Sequence, residues 1–219
     1  MLMRRDLRWI AAGLLAFVIY DRWDISQHEV RENTFTFAPD PHFRGVLNLF
    51  VQSGSPLMKY EINLNNGQGV PHPNNSENAN PPLQRQCSRE VYPPKSRRSL
   101  PSPDAAFAIS CDSLPGSLPS AITVTRADGS LLDSHGFSLG FSIDYVAWAP
   151  GSSAVAVLAK RTRTDLYTPR GMLRLFSGHP IELTTYKVFL VAPQDHLLKE
   201  IPVPTHSLEE AWAAVDWVK

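Results

Sequence analysis

From Lys59 to Leu64 apolar and polar residues alternate, so Tyr60, Ile62 and Leu64 share one face, and the run ends at Asn66-Gly67. A period of two marks a half-buried strand, and Asn-Gly marks the tight turn of a hairpin. The alternation returns at Phe107, Ile109 and Cys111, and again at Ile122 and Val124, which run into Asp128-Gly129. It continues at Val146 and Trp148, Val155 and Val157, Leu173 and Leu175, and finally Val188, Leu190 and Ala192. Val46–Val51 and Ala154–Ala159 are more continuously apolar, which predicts strands buried on both faces. Residues 70–103 interrupt the series. Pro71-His72-Pro73-Asn74-Asn75-Ser76 and Asn80-Pro81-Pro82 offer too little apolar surface to order themselves, so 70–100 reads as a disordered-type loop. The expected fold is mainly β, built of antiparallel sheets.

The N-terminus follows a different pattern. Arg4, Arg5 and Arg8 precede an apolar run from Trp9 to Tyr20, closed by Asp21, Arg22, Trp23 and Asp24. Positive charge before such a run orients the N-terminus toward the cytoplasm. The run covers only about 18 Å as a helix, against a hydrocarbon core of ~30 Å. Snorkelling by Arg8 and Arg22, with Trp9, Tyr20 and Trp23 at the interfaces, makes a span feasible. A cleaved signal peptide and a buried soluble helix share these features. However, Phe17-Val18-Ile19-Tyr20 lacks the small residues of a cleavage site. Residues 1–23 are therefore read as an uncleaved signal anchor, a transmembrane helix in the inner (cell) membrane. Residues 24–36 form a linker, and the bulk of the chain is extracytoplasmic or periplasmic.

At the other end, Ser207-Leu208-Glu209-Glu210 spells a capping box ahead of Ala211–Val218. A helix over 207–219 gathers Leu208, Ala211, Trp212, Val215 and Val218 on one face and leaves Glu209 on the polar side. Leu208, Trp212 and Val215 are the candidate contact residues for the sheet or for a partner. A competing reading makes Val215-Asp216-Trp217 the opening of another strand unit.

The strands between these ends repeat. Ser102-Pro103-Asp104-Ala105-Ala106-Phe107 aligns with Ala149-Pro150-Gly151-Ser152-Ser153-Ala154, each a tight turn before a short apolar strand. Ala127–Leu132 aligns with Pro193–Leu198, and Tyr60–Gly67 aligns with Ile122–Gly129. Phe37-Ala38-Pro39-Asp40 opens the first unit, and prolines 39, 103 and 150 follow at intervals of 64 and 47 residues. Trp148-Ala149-Pro150-Gly151-Ser152 and Ser102-Pro103-Asp104-Ala105 resemble the W-S-P-D-G blade opening of WD40-like, TolB-type β-propeller repeats. Position 151 is Gly where that family has Asp, and position 105 is Ala where it has Gly. The resemblance implies blade-like units at 37–67, 101–134 and 146–201 within a β domain of residues 37–206, and a surface that binds proteins. It implies no catalytic residues. Closed propellers have at least four blades, so about three units imply an incomplete propeller, a ring finished by a partner, or a sandwich.

Composition narrows the function. Lys+Arg and Asp+Glu each number 21 in 219 residues, which excludes a strongly basic nucleic-acid binder. Nineteen prolines exclude a long helical bundle. Cys87 and Cys111 suit an oxidising compartment, where a disulfide would close a loop of about 24 residues and contribute ~3 kcal/mol; the alternative is a buried core thiol at Cys111. Gly136-Phe137-Ser138-Leu139-Gly140 spells a nucleophile elbow, with Asp165 or Asp195 and His196 or His206 as imaginable partners. The residues after it read as a strand where the elbow needs a helix, so Ser138 is expected to be an inter-strand loop residue. The seven histidines are scattered without ligand spacing, and no phosphate-binding loop is present. No metal, cofactor or catalytic residue is expected, and the chain is not read as an enzyme. The reading adopted is a membrane-anchored β domain that binds a protein partner or a second copy of itself. The alternatives are an accessory structural subunit of a larger membrane complex and, more remotely, a serine hydrolase using Ser138.

Overall fold

The computed structural model describes residues 4–27, 33–53, 57–74, 99–112, 120–137, 140–209 and 211–218. The described chain is mainly β, with two helices. Three antiparallel sheets account for nearly all of it. The first contains β1 (Phe35–Thr36), β2 (Val46–Gln52), β3 (Leu57–Asn63) and β4 (Gln68–Asn74), in the order β1-β4-β3-β2, with β14 (Trp212–Val218) beside β2. The second is the meander β5 (Ser99–Pro101), β6 (Phe107–Asp112), β7 (Ala121–Arg126) and β8 (Leu131–Gly136). The third contains β9 (Ser142–Trp148), β10 (Val155–Thr164), β11 (Glu182–Ala192) and β12 (Leu197–Ile201), with β13 (Leu208–Glu209) on the early part of β11.

The third sheet is the middle layer. Tyr145, Ala147, Ala156, Leu158, Val188 and Leu190 pack toward the first sheet, against residues such as Leu47, Leu49, Tyr60, Ile62 and Val215. Val146, Trp148, Val155, Val157 and Val191 pack toward the second, against Ile109, Ile122 and Val124. This explains why Ala154–Ala159 reads as a continuous apolar run: both faces of β10 are covered. Val46–Val51 is different. Leu47, Leu49 and Val51 are buried, whereas Val46, Asn48 and Phe50 on the outer face are only half-buried. The expectation that β2 is buried on both faces is corrected accordingly.

The repeat alignment has a structural counterpart. In the turn between β5 and β6, Ala105 N–H donates to Ser102 O and Ser102 N–H to Phe107 O; in that between β9 and β10, Ser152 donates to Ala149 and Ala149 to Ala154. Ala105 and Ser152 hold matching left-handed φ values of 59° and 58°, the conformation that favours glycine at the last motif position. The two turns touch, since Asp104 N–H donates to Ser152 Oγ at 3.2 Å. Trp148 Nε1–H reaches Leu100 O at 3.1 Å, and its ring stacks on Phe107 with centroids 6.4 Å apart. These contacts join β9 to the second sheet, while on its other face β9 packs against β14.

The C-terminal helix expected over 207–219 is not formed. Leu208–Glu209 and Trp212–Val218 are strands, and all seven residues of β14 pair with β2. Ala213, Val215 and Trp217 satisfy a strand period toward the core, and the edge of β2 gains a full partner from them. Leu208 and Val215 are thus core residues, and Trp212 is half-buried beside them. Tyr186 Oη–H donates to Ala211 O at 2.8 Å, fixing the approach to β14. Burial, and next the charge of Asp144, raise the Tyr186 hydroxyl above its ordinary range, so it remains a donor. A second correction concerns Leu173 and Leu175, which belong to helix α2 (Pro169–Phe176) and not to a strand. Thr168 caps it, accepting from Gly171 N–H at 3.0 Å, and Pro169 pre-sets its first turn. A third concerns residues 70–74, which continue β4 in register with β3. β4 has β1 as a neighbour only at Gln68 and Gly69, and an edge of this kind tolerates Pro71 and Pro73. At the other end of the expected loop Ser99 and Leu100 belong to β5, and the stretch between, 75–98, lies outside the described residues.

The N-terminal helix α1 (Arg4–Gln27) forms and extends into the expected linker, where Phe35–Thr36 is already strand. Among the described residues, no helix is long and apolar enough to cross a membrane. Charges at both ends confine its apolar stretch to Trp9–Tyr20.

Candidate functional site

The end of the molecule opposite the repeat turns carries both helices. α1 presents every residue from Ala12 to Ile19 to solvent, including Leu14 (62% exposed), Leu15 and Ile19. Eight consecutive exposed positions cover more than two turns, so the bare apolar surface runs around the whole helix. A helix apolar on all sides is a buried or membrane-embedded type. Its link to the β domain is polar: Asp21 Oδ1 lies 3.2 Å from Arg170 Nε at the start of α2. Arg170 also forms a fork on Glu209, with Nη1 2.7 Å from Oε2 and Nη2 3.0 Å from Oε1. A planar guanidinium is suited to this bidentate geometry. Glu209 is therefore engaged by α2, and the free polar side expected for it is not present.

A second cluster joins the second and third sheets. Asp133 sits opposite Val124 in the β7–β8 register and shares its inward face, just after a bulge that leaves Leu132 unpaired. His135 Nε2 lies 2.7 Å from Asp133 Oδ2, and His196 Nδ1, from the β11–β12 hairpin, lies 3.1 Å from Oδ1. Because an ionised carboxylate only accepts, both imidazoles donate. Burial would raise the Asp133 carboxyl, but the hydrogen bonds from His196 and His135 outweigh it and hold the group below its ordinary value. Asp133 thus accepts from one ring on its own strand and from one ring on the β11–β12 hairpin of the third sheet. The adjacent Ser134 donates to Ile122 O at 3.4 Å, a bond within the second sheet. The cluster is therefore an inter-sheet tie, and sequence spacing does not reveal it: His196 lies 63 positions from Asp133.

Asp40 accepts from the backbone and then the ring of His42, which lowers its carboxyl below the usual value. It borders an open depression of about 390 Å³. Ser138 lies outside the described residues; the strands β8 and β9 flank its motif, and no helix follows in the position an elbow requires. Cys111 is disulfide-bonded, and Cys87, the other cysteine of the chain, lies outside the described residues. Among the described residues no group of three or more His, Cys, Asp or Glu side chains could hold a metal ion. No family model matches the sequence, and no curated protein matches it.

Proposed function

We propose that this chain is a membrane-anchored, extracytoplasmic β domain of propeller-like blades that acts as a protein-binding or assembly module. The observation that supports it most is the bare apolar circumference of α1, which water tolerates poorly and lipid accepts. Anchoring in this reading uses the apolar run Trp9–Tyr20, with Arg22 snorkelling and Trp23 at the interface. Arg4, Arg5 and Arg8 face the cytoplasm, and the bonded Cys111 suits an oxidising compartment beyond it. The matched turns at 102–107 and 149–154 support the blade-like reading. A surface built of such stacked units offers broad faces for contact with a protein partner.

Native mass spectrometry of the detergent-extracted full chain tests this. A stoichiometric partner, or a defined homo-oligomer, is the expected result. A lone monomer at all concentrations, with no protein co-purifying, would overturn the assembly reading.

A further inference from the structure

We propose that α2 is a second membrane contact, a short interfacial helix seated in the leaflet from which α1 emerges. It would place Met172, Leu173 and Phe176 among the acyl chains. The proposal rests on the reading that α1 is held in lipid, and it adds a second element that sets how the β domain lies on the bilayer.

The geometry of α2 is that of a helix with one side fixed. Gly171 is buried on Asp165: a Cβ at position 171 would fall 2.5 Å from the Asp165 carboxyl carbon. Asp165 Oδ1 accepts from Tyr167 and Thr168 N–H, and Thr168 Oγ1 donates to Asp165 Oδ2. These bonds fix the helix start. At about 100° per residue, Met172, Phe176 and Leu173 lie roughly 100°, 140° and 200° around the helix from Gly171. The side away from the protein is therefore the apolar one. Phe176 is 82% exposed, Leu173 61% and Met172 48%, and the preceding Tyr167 is 86% exposed. A cluster of this kind, rimmed by polar groups, marks a contact surface.

Lipid is the occupant that its position favours. Arg170, in the first turn of α2, pairs with Asp21, the residue that ends the apolar run of α1. A bilayer that takes up α1 to Tyr20 therefore brings its headgroup plane to α2. Arg174 flanks the apolar side, and α2 contains no acidic residue, which suits anionic headgroups. Exposed Trp23 lies at the same level of α1, where tryptophan is favoured at a membrane interface.

The test is collision spectroscopy on the full-length chain in phosphatidylcholine–phosphatidylglycerol vesicles. Nitroxide labels are placed without reductant at Phe176→Cys, Leu15→Cys and Ser153→Cys, so that a disulfide-bonded Cys111 is not modified. Ser153 lies in the turn at the far end of β10, a strand of ten residues spanning about 33 Å, and serves as the water reference. The expected result is oxygen accessibility several-fold above that of a nickel chelate at Phe176 and Leu15, reversed at Ser153. Water-like accessibility at Phe176 with lipid-like accessibility at Leu15 overturns the α2 proposal and leaves the anchor standing. Water-like accessibility at both overturns both readings, and lipid-like accessibility at Phe176 alone removes the anchor and with it the proposed seating of α2 in the leaflet from which α1 emerges. A Phe176 label shielded from both reagents means a protein or a second copy covers α2, which also overturns the proposal. Leu173→Cys repeats the measurement should Phe176→Cys fail to fold.

Discussion

Replacing Trp217 by alanine probes whether the C-terminal strand is part of the core of the domain or an appendage to it. The ring is 4% exposed and belongs to the cluster shared by the first and third sheets. Its Nε1–H donates to Arg44 O at 3.1 Å, across 173 residues of sequence. It also lies against Gly45, where a Cβ would meet Nε1 at 3.3 Å, so the surroundings are shaped to the ring. Truncating a buried tryptophan to alanine costs about 3–5 kcal/mol, a large share of a net stability of roughly 5–15 kcal/mol. For a domain of this size each kcal/mol moves the melting temperature by about 2–4 °C, so a loss of about 10 °C is expected. Trp217→Phe should keep most of the packing and lose the indole hydrogen bond, at about 1 kcal/mol beyond the lost volume. Trp212→Ala, at a half-buried site, should cost about 1–2 kcal/mol. Urea unfolding of the detergent-solubilised full chain, followed by near-ultraviolet circular dichroism, reads all three. A Trp217→Ala variant within about 1 kcal/mol of wild type would refute the reasoning, because a strand completing the first sheet cannot be so dispensable.

Asp133→Ala should destabilise the chain by about 2–3 kcal/mol near neutral pH, since it removes an acceptor shared by two imidazoles. Because the folded carboxyl sits below its ordinary value of 3.8, its contribution is present above that pH and is lost as pH falls through the lowered value. The gap between wild type and variant should narrow as the pH falls below the ordinary carboxylate range, and a gap that does not narrow in acid would contradict the tie. Alkylation of the denatured, unreduced chain should find no free thiol, and Cys111→Ser should cost about 2–4 kcal/mol; modification of both cysteines would return Cys111 to a core thiol. A fluorophosphonate probe should leave the protein unlabelled, and labelling abolished by Ser138→Ala would establish the hydrolase reading instead.

The strands were legible wherever a period of two met a turn signal, as at Tyr60–Gly67 and Ile122–Gly129. There the side chains on one face need only one neighbouring sheet, so local pattern and tertiary packing agree. Legibility failed where a second physical demand competed. The segment Trp212–Val218 satisfies a helical face and a strand face equally well on paper, and the unpaired edge of β2 decides between them. Leu173 and Leu175 look like a strand because an eight-residue helix is too short to display its period; Asp165, Thr168 and Pro169 carried the better signal. Prolines 71 and 73 argued for a loop, yet an edge strand tolerates them. In the Asp133 cluster, His135 was readable as a same-face neighbour two positions on, whereas His196 arrives through sheet stacking that no local spacing encodes. Arg170 was missed for the same reason, because both of its carboxylate partners are distant in sequence.

Carbonate extraction of membranes carrying the full chain, followed by intact-mass measurement of the retained protein, tests the anchored-module account most directly. Alkaline carbonate strips peripheral proteins and leaves those held by apolar segments. The account predicts that the chain stays in the membrane pellet with residues 1–23 attached. Release into the carbonate supernatant, or a retained mass that begins near residue 20 or later, would contradict it.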